Sequence, residues 1–179
     1  MNKLLLVAAF SVSMFAATPP AHAADYNNEV DIGILSLFWG NFNGRYERNL
    51  NDYISLAVGG GFSPNGYLFV SEEDVDWKYY NVNGIFRFYP LGNFRNLYAQ
   101  VEVNGDFHDL TDESTGDTAT VTMVTPAVVV GWRWVVAQRA TITLGAGSGY
   151  ASGNLDVGDE EIDIEGIRPR FDFNLGFLF

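Results

Sequence analysis

Histidine and cysteine, which most often carry nucleophilic or metal chemistry, are scarce in this chain. There is no cysteine, and the two histidines are His22 and His108. His108 is followed by Asp109 and Leu110, so the local sequence sets no hydroxyl nucleophile beside it. A base with no nucleophile to activate is not a catalytic pair, and His108 reads as a polar rim residue; no catalytic residue and no cofactor is assigned. Without cysteine, disulfides, thiolate metal sites and a lipidated N-terminal cysteine are all excluded.

The remaining candidate chemistry is ionic. Arg45, Arg87, Arg133 and Arg170, with the acids Asp31, Glu47, Glu102, Asp106 and Asp172, lie in stretches where polar and apolar residues alternate. A second set of acids is bunched: Glu72, Glu73, Asp74 and Asp76; Asp109, Asp112, Glu113 and Asp117; and Asp156, Asp159, Glu160, Glu161, Asp163 and Glu165. Oxygen donors of this kind suit calcium or magnesium. The densest run, Asp156 to Glu165, lacks the D-x-[DN]-x-[DN]-G spacing of a calcium-binding loop. It therefore reads first as a solvated acidic loop, with divalent-cation binding as the minor alternative.

Elements must position these residues, and the chain begins with one that is not expected to persist. Lys3, the apolar stretch from Leu4 to Ala17 and the small-residue site Ala21-His22-Ala23 follow the order of a secretory signal peptide. Cleavage is expected after Ala23, leaving a single domain over residues 24–179. The chain holds 10 Lys and Arg against 22 Asp and Glu, a net charge of -12. Losing Lys3 and no acid takes -12 to -13, a balance that argues against a nucleic-acid partner.

Beyond residue 23 no apolar run is long enough for a spanning helix, so any membrane passage must use a closed barrel. Alternation is clearest at the C-terminus. Phe171, Phe173, Leu175, Phe177 and Phe179 fall on one face, and Arg170, Asp172, Asn174 and Gly176 on the other. A cationic side chain facing lipid at mid-bilayer costs about 2–4 kcal/mol, so the phenylalanine face is outward. The same pattern marks strands over residues 29–38, 42–48, 53–62, 77–89, 97–108, 119–136 and 141–151. With residues 168–179 they predict an all-β, eight-stranded antiparallel up-and-down transmembrane β-barrel.

Connections are expected to alternate: short at residues 49–52, 91–96 and 136–140, long at 63–76, 109–118 and 152–166, with an unusually tight turn at Trp39-Gly40-Asn41. The long, acidic set is expected to face outside. Pro126 cannot donate to a ladder, so a bulge near the outer rim is expected there. Two aromatic belts are expected, with Phe62, Trp77, Tyr79, Tyr80 and Tyr150 toward the loops. Phe88, Tyr98, Trp132, Trp134, Phe177 and Phe179 would lie toward the turns.

An A-x-A leader, eight alternating segments and a terminal Phe179 together resemble the small eight-stranded outer membrane β-barrel superfamily, which includes the outer membrane protein A transmembrane domain and opacity-type proteins. Residues 44–50, Gly-Arg-Tyr-Glu-Arg-Asn-Leu, followed by Tyr53-Ile54-Ser55-Leu56, resemble a strand, turn and strand of uncharacterised members. The resemblance implies the outer membrane of a Gram-negative bacterium, contact with its lipids and lipopolysaccharide, and Phe171, Phe173, Leu175, Phe177 and Phe179 as the signal read by the assembly machinery. Lipid A deacylases, similar in size and architecture, use a His-x-Ser arrangement that His108-Asp109-Leu110 lacks.

A barrel of this size is filled by side chains or holds one small ligand. The interior is expected to carry a polar network of Arg45, Glu47, Arg87, Glu102, Arg133, Arg170 and Asp172, centred on Arg87, Arg133, Glu47 and Glu102. The leading functional expectation is a non-enzymatic envelope barrel with acidic outer loops. A low-conductance channel comes second and a lipid-modifying enzyme third.

Overall fold

The computed structural model describes residues 26–64, 75–112, 115–157 and 160–179. The expected leader, with residues 24 and 25, most of the 63–76 connection, and residues 113–114 and 158–159 lie outside them. The described residues form β1 (Asn28–Gly33), α1 (Ile34–Phe38), β2 (Phe42–Asn51), β3 (Ile54–Ser63), β4 (Val75–Phe88), β5 (Asn96–Asp112), β6 (Thr118–Val136), β7 (Ala140–Val157) and β8 (Glu160–Leu178). Each strand pairs antiparallel with the next, and β1 pairs with β8 to close the barrel. The all-β, eight-stranded, up-and-down architecture is therefore as the alternation predicts.

Three boundaries differ from expectation. The first strand stops at Gly33, and residues 34–38 turn into a helix whose Ser36 hydroxyl donates to Gly33 O at 2.7 Å. Asn41 N–H donates back to Ser36 O at 2.8 Å, so this apolar run folds as a compact cap instead of lengthening β1. The connections at 109–118 and 152–166 are largely hairpin. β5 reaches Asp112, and β7 and β8 stay in register up to Val157↔Glu160. The expected bulge at Pro126 does not form. β6 holds continuous register with β5 through Val103↔Pro126. Its ladder to β7 lapses at residues 125 and 126 and resumes at Ala127↔Gly149 in the same register. A proline removes ladder bonds on one side only, and here the loss is absorbed without an inserted residue.

The faces sort as the strand period requires. Val58, Val82, Val101, Val128, Val130 and Phe171 point outward and are exposed, while Glu47, Arg87, Gln100, Glu102, Arg133 and Thr143 point inward and are buried. Phe42, Phe62, Tyr80 and Phe107 sit opposite one another on successive strands and form an outward aromatic arc. Trp132 and Trp134 begin a second arc toward the short turns, their ring centroids 6.5 Å apart. Three residues expected in these belts are instead interior: Tyr98 and Tyr79 are buried, and Trp77 bonds inward to His108. Their parity matches that of Gln100, Asn81 and Asn83, which outranks their aromatic character.

The lumen is closed at its short-turn end. The β4–β5 turn bends back through left-handed backbone at Gly92 (φ 70°), Asn93 (φ 62°) and Phe94 (φ 56°). A bulky residue at positive φ costs of order 1 kcal/mol or more. The conformation tucks Phe94 beneath the barrel, where it is 1 % exposed and joins Tyr89, Tyr98, Val129, Val135 and Leu178 in an apolar floor.

Candidate functional site in the barrel interior

Above this floor stands an ion-paired knot. Glu47 of β2 reaches across the lumen, and its Oε2 lies 2.6 Å from both Arg87 Nη1 of β4 and Arg133 Nη2 of β6. Its Oε1 accepts from the Ser55 hydroxyl and, at 3.0 Å, from the Tyr89 hydroxyl. Arg133 also pairs with Glu29 of β1 at 2.9 Å, and Thr141 donates to the other Glu29 oxygen at 2.6 Å. Arg87 donates from Nε and Nη2 to Gln100 Oε1 at 2.9 and 2.6 Å. The guanidinium groups lie against aromatic faces: Arg87 sits 4.5 Å from the Tyr98 ring centroid and Arg133 4.6 Å from that of Phe94. Cation–π contact of this kind is most favourable where water is excluded.

A second tier sits nearer the long connections. Arg45 pairs with Asp31 at 2.8 Å, and Arg170 with Glu102 at 2.8 Å. Gln100 joins the tiers by donating to Glu102 Oε2 at 2.8 Å and to Asp172 Oδ2 at 3.1 Å. Asp172 lies 3.9 Å from Arg45 and 4.0 Å from Arg87. The structure thus gathers Arg45, Glu47, Arg87, Glu102, Arg133, Arg170 and Asp172 in one lumen. Glu102 belongs to the upper tier and does not share the centre with Glu47.

Sequence reasoning missed several partners. Glu29 stood at the end of a predicted strand and shares the inward parity of Asp31, which was the available signal. Tyr89 lies two residues beyond inward-facing Arg87, so the same rule would have found it. Phe94 carried no signal, because its placement depends on a left-handed turn.

The other candidate sites are not assembled among the described residues. His108 accepts from Trp77 Nε1 at 3.1 Å and packs against Tyr79. Asp156 and Asp163 are exposed on paired strands, Glu160 and Glu161 belong to β8, and Asp159 lies outside the described residues. Among the described residues no three potential metal ligands converge. Phe171, Phe173, Leu175, Phe177 and Phe179 share the outward face of the closing strand. Phe179 exchanges backbone bonds with Asn28 at 2.9 and 3.1 Å.

Fold and interior together define a class: a small closed up-and-down barrel, charged inside and apolar outside. No family model matches the chain, and no curated protein matches it significantly.

Proposed function

We propose that the chain is a non-enzymatic integral outer membrane barrel of a Gram-negative envelope, its lumen closed by side chains. Its acidic outer end would serve envelope structure or surface contact. The observation that carries this reading is its reversed polarity. Glu29, Glu47, Arg87 and Arg133 are 0 % exposed, whereas Val58, Val82, Val128, Val130 and Phe171 stand 57–67 % exposed on the outer face. In water this would leave an apolar surface far larger than monomers tolerate; in lipid it is the arrangement a barrel requires. From Val124 to Val136 the outward face of β6 spans roughly 40 Å along the strand, about 30 Å after tilting, which suits a hydrocarbon core.

Refolding into lipid vesicles tests the reading. Heat-modifiable migration, protease cleavage confined to the long connections and a silent planar bilayer are the expected results. A soluble, heat-insensitive monomer would overturn it. Reproducible conductance steps would favour the second reading, a low-conductance pore, which draws on the open cavity above the knot.

A further inference from the structure

The polarity of the strand faces reverses toward the long connections. Through the middle of the barrel inward positions are polar and outward ones apolar, as in Glu102 and Thr125 against Val101 and Val124. Nearer the long connections the same parity carries the opposite chemistry. Asp109, Thr120, Thr122, Asp156, Asp163 and Glu165 are exposed on the outer face, while the inward positions hold Leu110, Val121, Leu155, Ile162 and Ile164. Register gathers these residues into one patch. Val121 lies opposite Leu155 and Leu155 opposite Ile162, and in the next inward row Met123 and Ile164 flank Gly153.

Among the described residues the facing wall is low: β1 stops at Gly33 and β3 at Ser63, whereas β5 continues to Asp112 and β8 begins at Glu160. Leu110, Val121, Leu155 and Ile164 are half-buried, and Ile162 is 49 % exposed. Such a surface gains by taking an apolar occupant out of water. At its foot stands Arg168. It lies opposite Gly149 on β7, and its Nη2 donates to Met123 Sδ at 3.4 Å. The deeper arginines are committed, Arg45 to Asp31, Arg170 to Glu102, and Arg87 and Arg133 to Glu47. Arg168 is exposed and has no carboxylate within ion-pair distance among the described residues. Its guanidinium fork matches a carboxylate through two parallel hydrogen bonds.

We infer that the outer end of the lumen binds a single-chain carboxylate amphiphile of fatty-acid type, with its carboxylate on Arg168 and its chain along Met123, Val121, Leu155, Ile162 and Ile164. The graded wall sets the orientation, because Arg168 lies toward the charged tiers and the apolar rows lie beyond it. Charge sets the class. One uncommitted guanidinium matches one negative charge, and a phosphate dianion would add a second close to Asp106, which already faces the lumen and accepts from Tyr79 at 2.6 Å. A cationic amphiphile would set its head against Arg168, and a neutral one would leave Arg168 unused. The cavity of about 260 Å³ lower in the lumen offers no comparable cation, since Arg45 and Arg170 in its wall are already paired. The inference does not rest on membrane insertion, since the patch forms wherever the barrel closes.

The chain, refolded in amphipol and labelled at its isoleucine methyl groups, would be titrated with decanoate and followed by NMR. Decanol, decyl phosphate and decyltrimethylammonium would serve as head-group controls. Decanoate is expected to shift the Ile162 and Ile164 methyls saturably and to leave Ile142, on the outer face near the short turns, unmoved. Decanol should bind about tenfold more weakly, the worth of one charge-assisted hydrogen bond. Arg168→Gln, at an exposed position that the fold tolerates, should bring decanoate down to the level of decanol and leave decanol unchanged. Ile162→Glu sets a carboxylate in the patch, again at an exposed position, and should abolish decanoate binding as read at Ile164. Absence of saturable shifts, equal shifts at Ile142, or decanol binding as tight as decanoate would overturn the inference. So would decanoate binding indifferent to Arg168→Gln, or tighter binding of decyl phosphate or decyltrimethylammonium. Saturable decanoate binding by a chain that fails to insert into vesicles would defeat the membrane proposal and leave this one standing.

Discussion

Replacing Glu47 with alanine should be among the most damaging single changes available to this barrel. The carboxylate sits 2.6 Å from two guanidinium groups whose side chains are 0–1 % exposed. After its removal Arg133 keeps Glu29 at 2.9 Å, but Arg87 keeps only Asp172 at 4.0 Å. Arg87 therefore becomes a buried cation without a close counter-charge, and Ser55 and Tyr89 lose their acceptor. Breaking a buried pair in this way costs about 3–5 kcal/mol, and the shared carboxylate puts the cost toward the upper end. For an unfolding slope of about 2 kcal/mol/M, the urea midpoint should fall by about 2 M. The assay is equilibrium unfolding from vesicles, followed by tryptophan fluorescence and by heat-modifiable migration. Arg170→Ala is the internal comparison. Its side chain is 34 % exposed, and buried Glu102 would lose its counter-charge but keep bonds from Gln100 and Asn104, so a smaller loss of about 2 kcal/mol is expected. A Glu47→Ala midpoint within about 0.5 M of the parent, or equal to that of Arg170→Ala, would show that water from the cavity above solvates the knot. The reasoning from burial would then be refuted.

Other expectations concern packing and closure. A Cβ at Gly145 would fall 2.3 Å from the Tyr98 hydroxyl, so Gly145→Ala should cost about 1–3 kcal/mol by overpacking. Tyr98→Phe should recover part of that loss in the double variant, as read by the same urea curves. Deleting Phe179 removes both backbone bonds to Asn28 at the β1–β8 seam and should slow folding into vesicles, measured by the appearance of the heat-modifiable band. Pro126→Val restores an N–H where the β6–β7 ladder lapses. It should be neutral or mildly stabilising, while greater protection of amides near Tyr150 in hydrogen exchange would report the repaired ladder.

The two-residue period explains why so much was legible. From Arg87 to Arg170, a buried or exposed environment follows from parity alone, because a slip of one residue would send every arginine into the outer face. Parity fails where the backbone leaves the strand. Ile34 and Leu35 look like a continuing β1, yet pairing stops at Gly33↔Asn174 although β8 runs on, and the run folds on itself through Ser36. Residues 109–118 and 152–166 look like loops because their outward positions are acidic. Polarity signals water, not irregular backbone, and the strand period persists here, with Asp163 and Glu165 alternating with Ile162 and Ile164. Tyr98 and Tyr79 were misread for the complementary reason: an aromatic with a hydroxyl suits a membrane interface and a polar lumen equally. Their inward parity distinguishes them, and there they face Asp172 and Asp106 at 3.4 and 2.6 Å.

The two tiers place different demands on the chain. In the lower tier Glu47 of β2 ties β4 and β6, and Arg133 carries the tie on to Glu29 of β1, so strands that are not neighbours are joined across the lumen. Neighbour-to-neighbour ladders alone leave the register of each pair an independent choice. A shared carboxylate makes these choices interdependent, since no strand can slide without parting a pair that has no water to replace it. Burying charge is a poor route to stability but a strong one to specificity of register, and the dry aromatic floor of Tyr89, Phe94 and Tyr98 sharpens the penalty. The upper tier repeats the tie, with Arg170 of β8 paired to Glu102 of β5, but stands nearer the open end. Arg45 and Asp31 are buried there, whereas Arg170 is 34 % exposed. The tie is tightest just above the floor, where Glu47 joins β2, β4 and β6, so its loss is the one that frees the most registers at once.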